Sequence, residues 1–157
     1  MPIDEPAAPA VPAGLVLATI RRRALGAIID QFLVLVPVAV GVVIAGYRPD
    51  DEIDTETLLW LNVVVVAVAF VYETVMIGAI GRTVGKIATG TRVVSATTGE
   101  RIGWFASTQR ALVPAIAAAV PEIGFVLGGI VYGLAAFGPL RQGVHDRAAG
   151  TVVVIGR

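Results

Sequence analysis

Residues 21–46 have the sequence RRRALGAIIDQFLVLVPVAVGVVIAG, in which an arginine triplet precedes an apolar run that contains one charged side chain, Asp30. An apolar helix of about 20 residues spans the hydrocarbon core of a bilayer. A carboxylate near the centre of such a helix costs roughly 2.5 to 3.5 kcal/mol, so it usually pairs with another group, faces the bundle interior or marks a path for ions or protons. Asp30 is therefore the first candidate functional residue.

The composition of the whole chain is that of a membrane protein. Of its 157 residues, 56% are hydrophobic and 15% are charged, and the mean hydropathy is +0.83. Residues 58–80 form a second run long enough to span a bilayer. A third run, 111–137, is longer than one span requires and contains Pro121. The chain has no cysteine, which excludes disulfides, thiolate catalysis and thiolate metal sites.

Charged residues are distributed unevenly between the apolar runs. Residues 48–56 hold five acids against one arginine, whereas residues 82–110 hold five basic residues against one acid. Because loops rich in Lys and Arg remain cytoplasmic, we expect the amino terminus inside and the acidic loop outside. The carboxy-terminal arginines also favour the cytoplasm. They favour two short helices that meet at Pro121, although a single kinked span stays open as the alternative.

These patterns predict an all-α membrane protein, a bundle of three to four transmembrane helices in which the third apolar run is kinked or split at Pro121. A flexible Pro- and Ala-rich tail is expected over residues 1–20, followed by a transmembrane domain over 21–157. The Thr- and Val-rich segment 88–104 predicts a small cytoplasmic β-hairpin or β-strand element, with 150–155 as an added strand. The helices are expected at about 24–46, 58–80, 105–120 and 122–138.

Three segments of the sequence resemble the RDD family of bacterial transmembrane proteins. They are RRALGAIID at 22–30, GRTVGK at 81–86 with TRVV at 91–94, and VHDRAAGTVVV at 144–154. The family is named for an arginine and two aspartates, which correspond here to Arg22 or Arg23, Asp30 and Asp146. The resemblance implies a multi-pass protein of the bacterial plasma (inner) membrane. It further implies transport of an unspecified ligand or the exchange of cations for protons.

Other polar residues near the apolar runs extend the candidate site. Glu73 lies nine residues before Arg82, roughly 13 Å of helical rise, and so at a depth similar to that of Asp30. If their helix faces converge, the two carboxylates would raise each other's pKa or share a proton, a cation or an arginine. The further intramembrane or interface candidates are Glu73, Arg110, Glu122, His145 and Arg147, and the loop motif contributes Gly81, Thr83, Gly85 and Lys86.

Motifs for enzymatic chemistry are missing from the sequence. Ile80 and Ile87 stand where a phosphate-binding loop needs glycine and Ser or Thr, and the single histidine cannot build a metal site. We therefore expect no catalytic residue, no metal and no cofactor. Two functions stay open: transport or cation/proton exchange, and a non-catalytic membrane subunit or assembly factor with a structural Arg/Asp network. Expected partners are the lipid bilayer and a homo-oligomer or other membrane proteins, with no nucleic acid; the ligand is unknown.

Overall fold

The fold is known from a computed structural model, which describes residues 11–48 and 52–156. The described residues form six helices and two strands, β1 (Thr91–Ser95) after the third helix and β2 (Thr151–Ile155) after the sixth. A 3-10 turn, Leu134–Ala136, follows the fifth helix. The helices are α1 (Ile20–Ile44), α2 (Thr55–Ile80), α3 (Val84–Ala88), α4 (Trp104–Ala118), α5 (Gly124–Gly133) and α6 (Val144–Ala148).

The helices α1 and α2 are long and apolar enough to cross a membrane, each with a mean hydropathy of 2.4 over its most apolar window. Only 6% of that window in α1 and 11% in α2 is buried inside the chain. The core helix of a water-soluble protein hides its apolar surface, so this much exposed apolar surface requires an apolar surrounding. The chain is a membrane protein with a mainly helical fold, and this part of the prediction is confirmed.

Local sequence signals set the ends of these helices. The Thr19 side chain caps α1 by accepting the backbone N–H of Arg22, and the Asp54 carboxylate caps α2 by accepting the N–H of Thr57 at 2.9 Å. Gly81 ends α2 with a φ of +73°, a left-handed conformation that favours glycine. The chain therefore leaves α2 at the first residue of the GRTVGK motif.

The third apolar run is divided between α4 and α5. Pro121 lies between them, in the turn that joins Ala118 to Gly124. The turn is tight, because a Cβ on Gly124 would lie 2.6 Å from the carbonyl oxygen of Ala118. With 15 and 10 residues, both helices are shorter than the span expected of an upright transmembrane helix.

The two strands form an antiparallel sheet, in register from Thr91 opposite Ile155 to Ser95 opposite Thr151. A small antiparallel sheet is thus confirmed, but the expected hairpin over 88–104 is wrong. Among the described residues, the strand that pairs with β1 is β2. The segment after β1 turns back through a backbone bond from Ser95 N–H to the carbonyl of Glu100 (2.8 Å) and then enters α4. The strand that pairs with β1 is therefore β2, and not the segment that follows β1.

Residues 16–18, within the stretch predicted as a flexible tail, lie against β2. Ala18 N–H donates to the carbonyl of Val153 at 2.9 Å, and Ile155 N–H donates to the carbonyl of Val16 at 2.8 Å. Residues 1–10 of that predicted tail lie outside the described residues. A small core of Ala18, Ile77, Val93, Ile102 and Val153 closes this region. The start of α1, the end of α2 and the sheet meet here, at what we call the sheet end.

Candidate functional site

Four charged side chains at the sheet end form a continuous series of ion pairs, which we call the Arg–Asp ladder: Arg23, Asp146, Arg110 and Glu73. Arg23 pairs with Asp146, Arg110 pairs with Asp146 at 2.9 Å, and Arg110 also pairs with Glu73. These residues come from α1, α6, α4 and α2. Arg110 and Asp146 are 1% and 0% exposed. The ladder therefore ties four helices together in the interior.

Asp146 is the residue that both arginines of the ladder contact. One carboxylate oxygen also accepts the backbone N–H of Gly143 at 3.0 Å, at the start of α6, and the Thr151 hydroxyl lies 3.4 Å from the other. Burial alone would raise the pKa of Asp146, but the charges of Arg110 and Arg23 outweigh it and hold that pKa well below its usual value. Asp146 is thus a permanent anion at the centre of the ladder.

His145, next to Asp146 on α6, is fully buried against Tyr132, with ring centroids 4.5 Å apart. Its Nε2 lies 3.5 Å from the carboxylate of Asp146, and neither ring nitrogen has a hydrogen-bond partner among the described residues. Burial, followed by the charge of Arg110, lowers the pKa of His145 to about 4. The ring is therefore neutral at physiological pH.

Asp30 lies in a second cluster, which we call the Asp30 cage and which consists of Asp30, Tyr72, Thr83, Gly85 and Lys86. One oxygen of Asp30 accepts the Tyr72 hydroxyl and the Gly85 N–H, each at 2.7 Å. The other accepts the Thr83 hydroxyl at 2.5 Å and lies 3.9 Å from the Lys86 ammonium. Three neutral donors and one ammonium therefore surround this carboxylate.

Two glycines allow the GRTVGK motif to reach Asp30. A Cβ on Gly85 would overlap the carbonyl of Gly26 and lie 2.9 Å from the carboxyl carbon of Asp30. Gly26 stands four residues before Asp30 and thus on the same face of α1. Because neither glycine carries a side chain, the backbone of α3 packs directly on α1, and the Gly85 N–H points at the carboxylate.

Lys86 differs in its chemistry from the arginines of the ladder. Its side chain and that of Asp30 are each 15% exposed. Burial, followed by the charge of Arg110, lowers the pKa of Lys86, although Glu73 and Asp30 act in the opposite direction. A lysine can lose its proton, whereas an arginine remains charged in proteins. The cationic partner of Asp30 is therefore titratable, and the cationic partners of Asp146 are not.

The predicted sharing of a cation between Asp30 and Glu73 is not found in the contacts. Glu73 pairs with Arg110, and Asp30 bonds to α3 and Tyr72. The physical reason is the close packing of Gly85 on Gly26, which places the backbone of α3 against the face of α1 that carries Asp30. Tyr72 was not among the predicted site residues. The signal that could have identified it is its position directly before Glu73, because the two residues make a polar pair inside an apolar helix.

Three other predicted residues lie apart from both clusters. Arg22 and Arg147 are exposed at the sheet end, and Glu122 is exposed in the turn between α4 and α5, with a φ of 64°. Gly81 acts through the backbone, because its carbonyl accepts the N–H of Val93 at 2.9 Å. Within residues 11–48 and 52–156, no group of three acidic or histidine side chains has the arrangement of a metal site.

Comparison with protein families matches residues 17–150 of this chain to the RDD family. The chain belongs to the RDD family. The expected resemblance is thereby confirmed, and the match includes both clusters. In this RDD protein Arg23, one of the two arginines expected to correspond to the family name, pairs with Asp146, while Asp30 lies in the cage. Comparison with curated proteins and with solved structures gave no match.

Proposed function

We propose that this RDD protein is a non-enzymatic carrier of the bacterial plasma membrane that exchanges a monovalent cation for a proton at Asp30. The make-up of the Asp30 cage is the observation that carries the proposal. Its carboxylate lies in a membrane-spanning helix, and the ammonium 3.9 Å away belongs to a lysine. Intramembrane carboxylates of this kind mark ion and proton pathways.

The exchange uses groups already present in the cage. When Lys86 is protonated, its ammonium balances the charge of Asp30. When the Nζ of Lys86 releases its proton to water, the carboxylate keeps its negative charge, and the hydroxyl oxygens of Tyr72 and Thr83 lie at 2.7 and 2.5 Å from its oxygens. Oxygen ligands suit hard cations, so a monovalent cation then takes the place of the proton. One charge leaves and one arrives, and the net charge of the cage is conserved.

The Arg–Asp ladder supports this function as a fixed frame. Glu73 and Asp146 are paired with arginines, which keep their protons at any physiological pH. Neither acid can exchange its partner for a cation without leaving a buried guanidinium unpaired, which is strongly unfavourable. The ladder holds α1, α2, α4 and α6 in place while the cage changes its occupant.

We place the sheet end, and with it both chain termini, on the cytoplasmic side of the membrane. The basic residues of segment 82–110 and of the carboxy-terminal region support this orientation, since cytoplasmic loops are rich in Lys and Arg. The hydrogen bonds of residues 16–18 to β2 support a common side for both ends. In this arrangement α4 and α5 form a hairpin in the bilayer. Because these two helices are short, we propose that the pathway is completed in a homo-oligomer.

Ion flux in proteoliposomes tests the proposal. The full chain is reconstituted with a pH-sensitive dye inside, a gradient of Na⁺ or K⁺ is imposed, and proton movement is followed. Lys86→Arg keeps the positive charge beside Asp30 but cannot release a proton, so it should stop the exchange. Glu122→Gln is the matched control, because Glu122 is exposed and distant from both clusters. Proton-coupled flux that persists in Lys86→Arg would contradict the proposal.

A second candidate function is that of a non-catalytic membrane subunit or assembly factor. The complete pairing of Glu73 and Asp146 favours it, since a network of this kind fixes how helices pack and needs no transported ion. In that case the wild-type chain carries no flux. Asp146→Asn should then reduce the recovery of a co-purifying membrane protein, while Lys86→Arg should leave that recovery unchanged.

A further inference from the structure

A cavity of about 330 Å³ lies at the sheet end between α1 and α5. Small residues line it on both helices, Ala24 and Ala27 on α1 and Gly129 and Gly133 on α5. Val153 of β2 also lines it. Because Ala27 stands about 10 Å of helical rise beyond the start of α1, the cavity extends from the sheet along the two helices.

Basic side chains give this cavity a distinct chemical character. None of the described residues in its lining is acidic, because Asp30 and Asp146, which pair with these bases, do not line it. Arg23 directs one terminal nitrogen to Asp146 and the other to the carbonyl of Arg141, so among the described residues its Nε–H is left to donate to a ligand. The four basic residues of the lining are Arg23, Lys86, Arg110 and His145.

His145 provides independent evidence that the cavity takes a polar ligand. It is 0% exposed, it lines the cavity, and both of its ring nitrogens are without a hydrogen-bond partner among the described residues. A buried polar group without a partner is unfavourable, so the ring nitrogens of His145 call for a polar partner in the cavity. A neutral imidazole offers one N–H donor. An oxygen atom of a ligand would satisfy it.

We propose that this cavity binds the phosphate headgroup of an anionic glycerophospholipid. Phosphate oxygens accept hydrogen bonds from Arg23, Lys86 and His145, and charge-assisted bonds of this type are strong. The acyl chains leave between the small residues of α1 and α5, whose outer faces carry exposed apolar side chains such as Leu25 and Ile130. Basic pockets between membrane helices bind acidic lipid headgroups in this way. A free phosphate ion would not need the small apolar residues of α1 and α5 that line the cavity.

Lipid retention by the purified full chain tests the proposal. The measurement needs no ion gradient, so its outcome is separate from that of the exchange reaction, although Lys86 belongs to both proposed sites. The chain is equilibrated in mixed micelles with phosphatidylglycerol or phosphatidylcholine, and bound lipid is counted by native mass spectrometry. The wild-type chain should retain phosphatidylglycerol about tenfold more strongly, a preference expected of clustered basic groups.

Gly129→Leu fills the cavity, and Gly128→Leu is its matched control. An added Cβ meets nothing within 4 Å at either position, but only Gly129 lines the cavity. Gly129→Leu should weaken phosphatidylglycerol binding about tenfold, whereas Gly128→Leu should bind as the wild type does. Equal melting temperatures of the two variants would show that filling, and not unfolding, causes the loss.

Three results would overturn the proposal. The first is equal retention of phosphatidylcholine by the wild-type chain, a comparison that needs no variant. The second is unchanged phosphatidylglycerol binding by folded Gly129→Leu. The third is displacement of the lipid by inorganic phosphate together with equal phosphate binding in Gly129→Leu, which would identify a site for free phosphate in place of a lipid site.

Discussion

The Arg–Asp ladder and the Asp30 cage lie at the same end of the molecule and hold their carboxylates in opposite ways. In the ladder, Asp146 accepts two guanidinium groups and is 0% exposed. In the cage, Asp30 accepts three neutral donors and has one ammonium at 3.9 Å. The difference lies in the cation beside each buried acid: an arginine keeps its charge, whereas a lysine can lose its proton, which the proposed exchange requires.

Breaking the ladder should have the largest effect. Asp146→Asn removes the charge that both Arg23 and Arg110 contact, and a buried pair that loses one partner costs about 3 to 5 kcal/mol of the free energy of unfolding. Thermal unfolding in detergent micelles measures the loss, with Glu122→Gln as the control that leaves stability unchanged. A melting temperature of Asp146→Asn equal to that of the wild type would remove the structural role of the ladder.

Closing the space between α1 and α3 should have the next largest effect. Gly85→Ala places a methyl group against the carbonyl of Gly26 and against Asp30. Because backbone must move to admit it, we expect a loss of roughly 3 kcal/mol together with loss of the exchange activity. Gly128→Ala is the matched control, since its added Cβ meets nothing within 4 Å. Equal stability of the two alanine variants would contradict the close packing on which the cage depends.

Lowering the pH tests the ladder through His145, whose neighbours are charged or titratable groups of five helices: Arg23, Glu73, Arg110, Tyr132 and Asp146. The pKa of His145 falls from 6.5 to about 4 on folding, so the unfolded chain binds more protons between these values. Stability is therefore complete above pH 6.5 and is lost as the pH falls towards 4. We expect a loss of about 2 kcal/mol at pH 5 relative to pH 7.

His145→Phe separates this contribution from that of other groups. Phenylalanine keeps an aromatic ring against Tyr132 but does not titrate. Thermal unfolding of this variant should vary less between pH 7 and pH 5 than that of the wild-type chain. The same loss of stability in both chains would show that His145 does not cause the pH dependence.

The smallest effect on stability is expected when Asp30 loses its charge but keeps its shape. In Asp30→Asn, the amide oxygen still accepts the Gly85 N–H, and the amide nitrogen can donate to the hydroxyl of Thr83. We expect a loss of about 1 kcal/mol, the contribution of an ordinary hydrogen bond, and a complete loss of exchange. Stability is measured by thermal unfolding and exchange by flux. If Asp30→Asn destabilised the chain as much as Asp146→Asn, both clusters would be structural.

Much of the fold follows from patterns that are local in the sequence. The apolar runs indicated α1 and α2, the positive φ at Gly81 agrees with a glycine placed directly after an apolar helix, and the β-branched run at 151–155 indicated β2. The pairing of β1 with β2 was predicted and is confirmed, but the replacement of the expected hairpin after β1 by a turn could not be predicted in the same way. Whether β1 pairs with the segment that follows it or with β2 depends on where α4 begins, which is a matter of tertiary packing.

The candidate site shows the same division. Acids and bases inside or beside apolar runs can be recognised from the sequence, and this selected Arg23, Asp30, Glu73, Arg110 and Asp146. Their pairing could not be recognised, because it depends on the faces that helices present to each other. The separation of Asp30 from Glu73 follows from the contact between Gly26 and Gly85, two residues 59 positions apart.

Proton release on cation binding most directly tests whether the Asp30 cage is exchangeable. Purified full-length chain in weakly buffered detergent solution, with a pH indicator, is titrated with Na⁺ or K⁺. The wild-type chain should release close to one proton from Lys86 for each cation bound, and folded Lys86→Arg should release none. Equal release by both chains, or no release by a folded wild-type chain, would contradict the assignment of Asp30 and Lys86 as the exchanging pair.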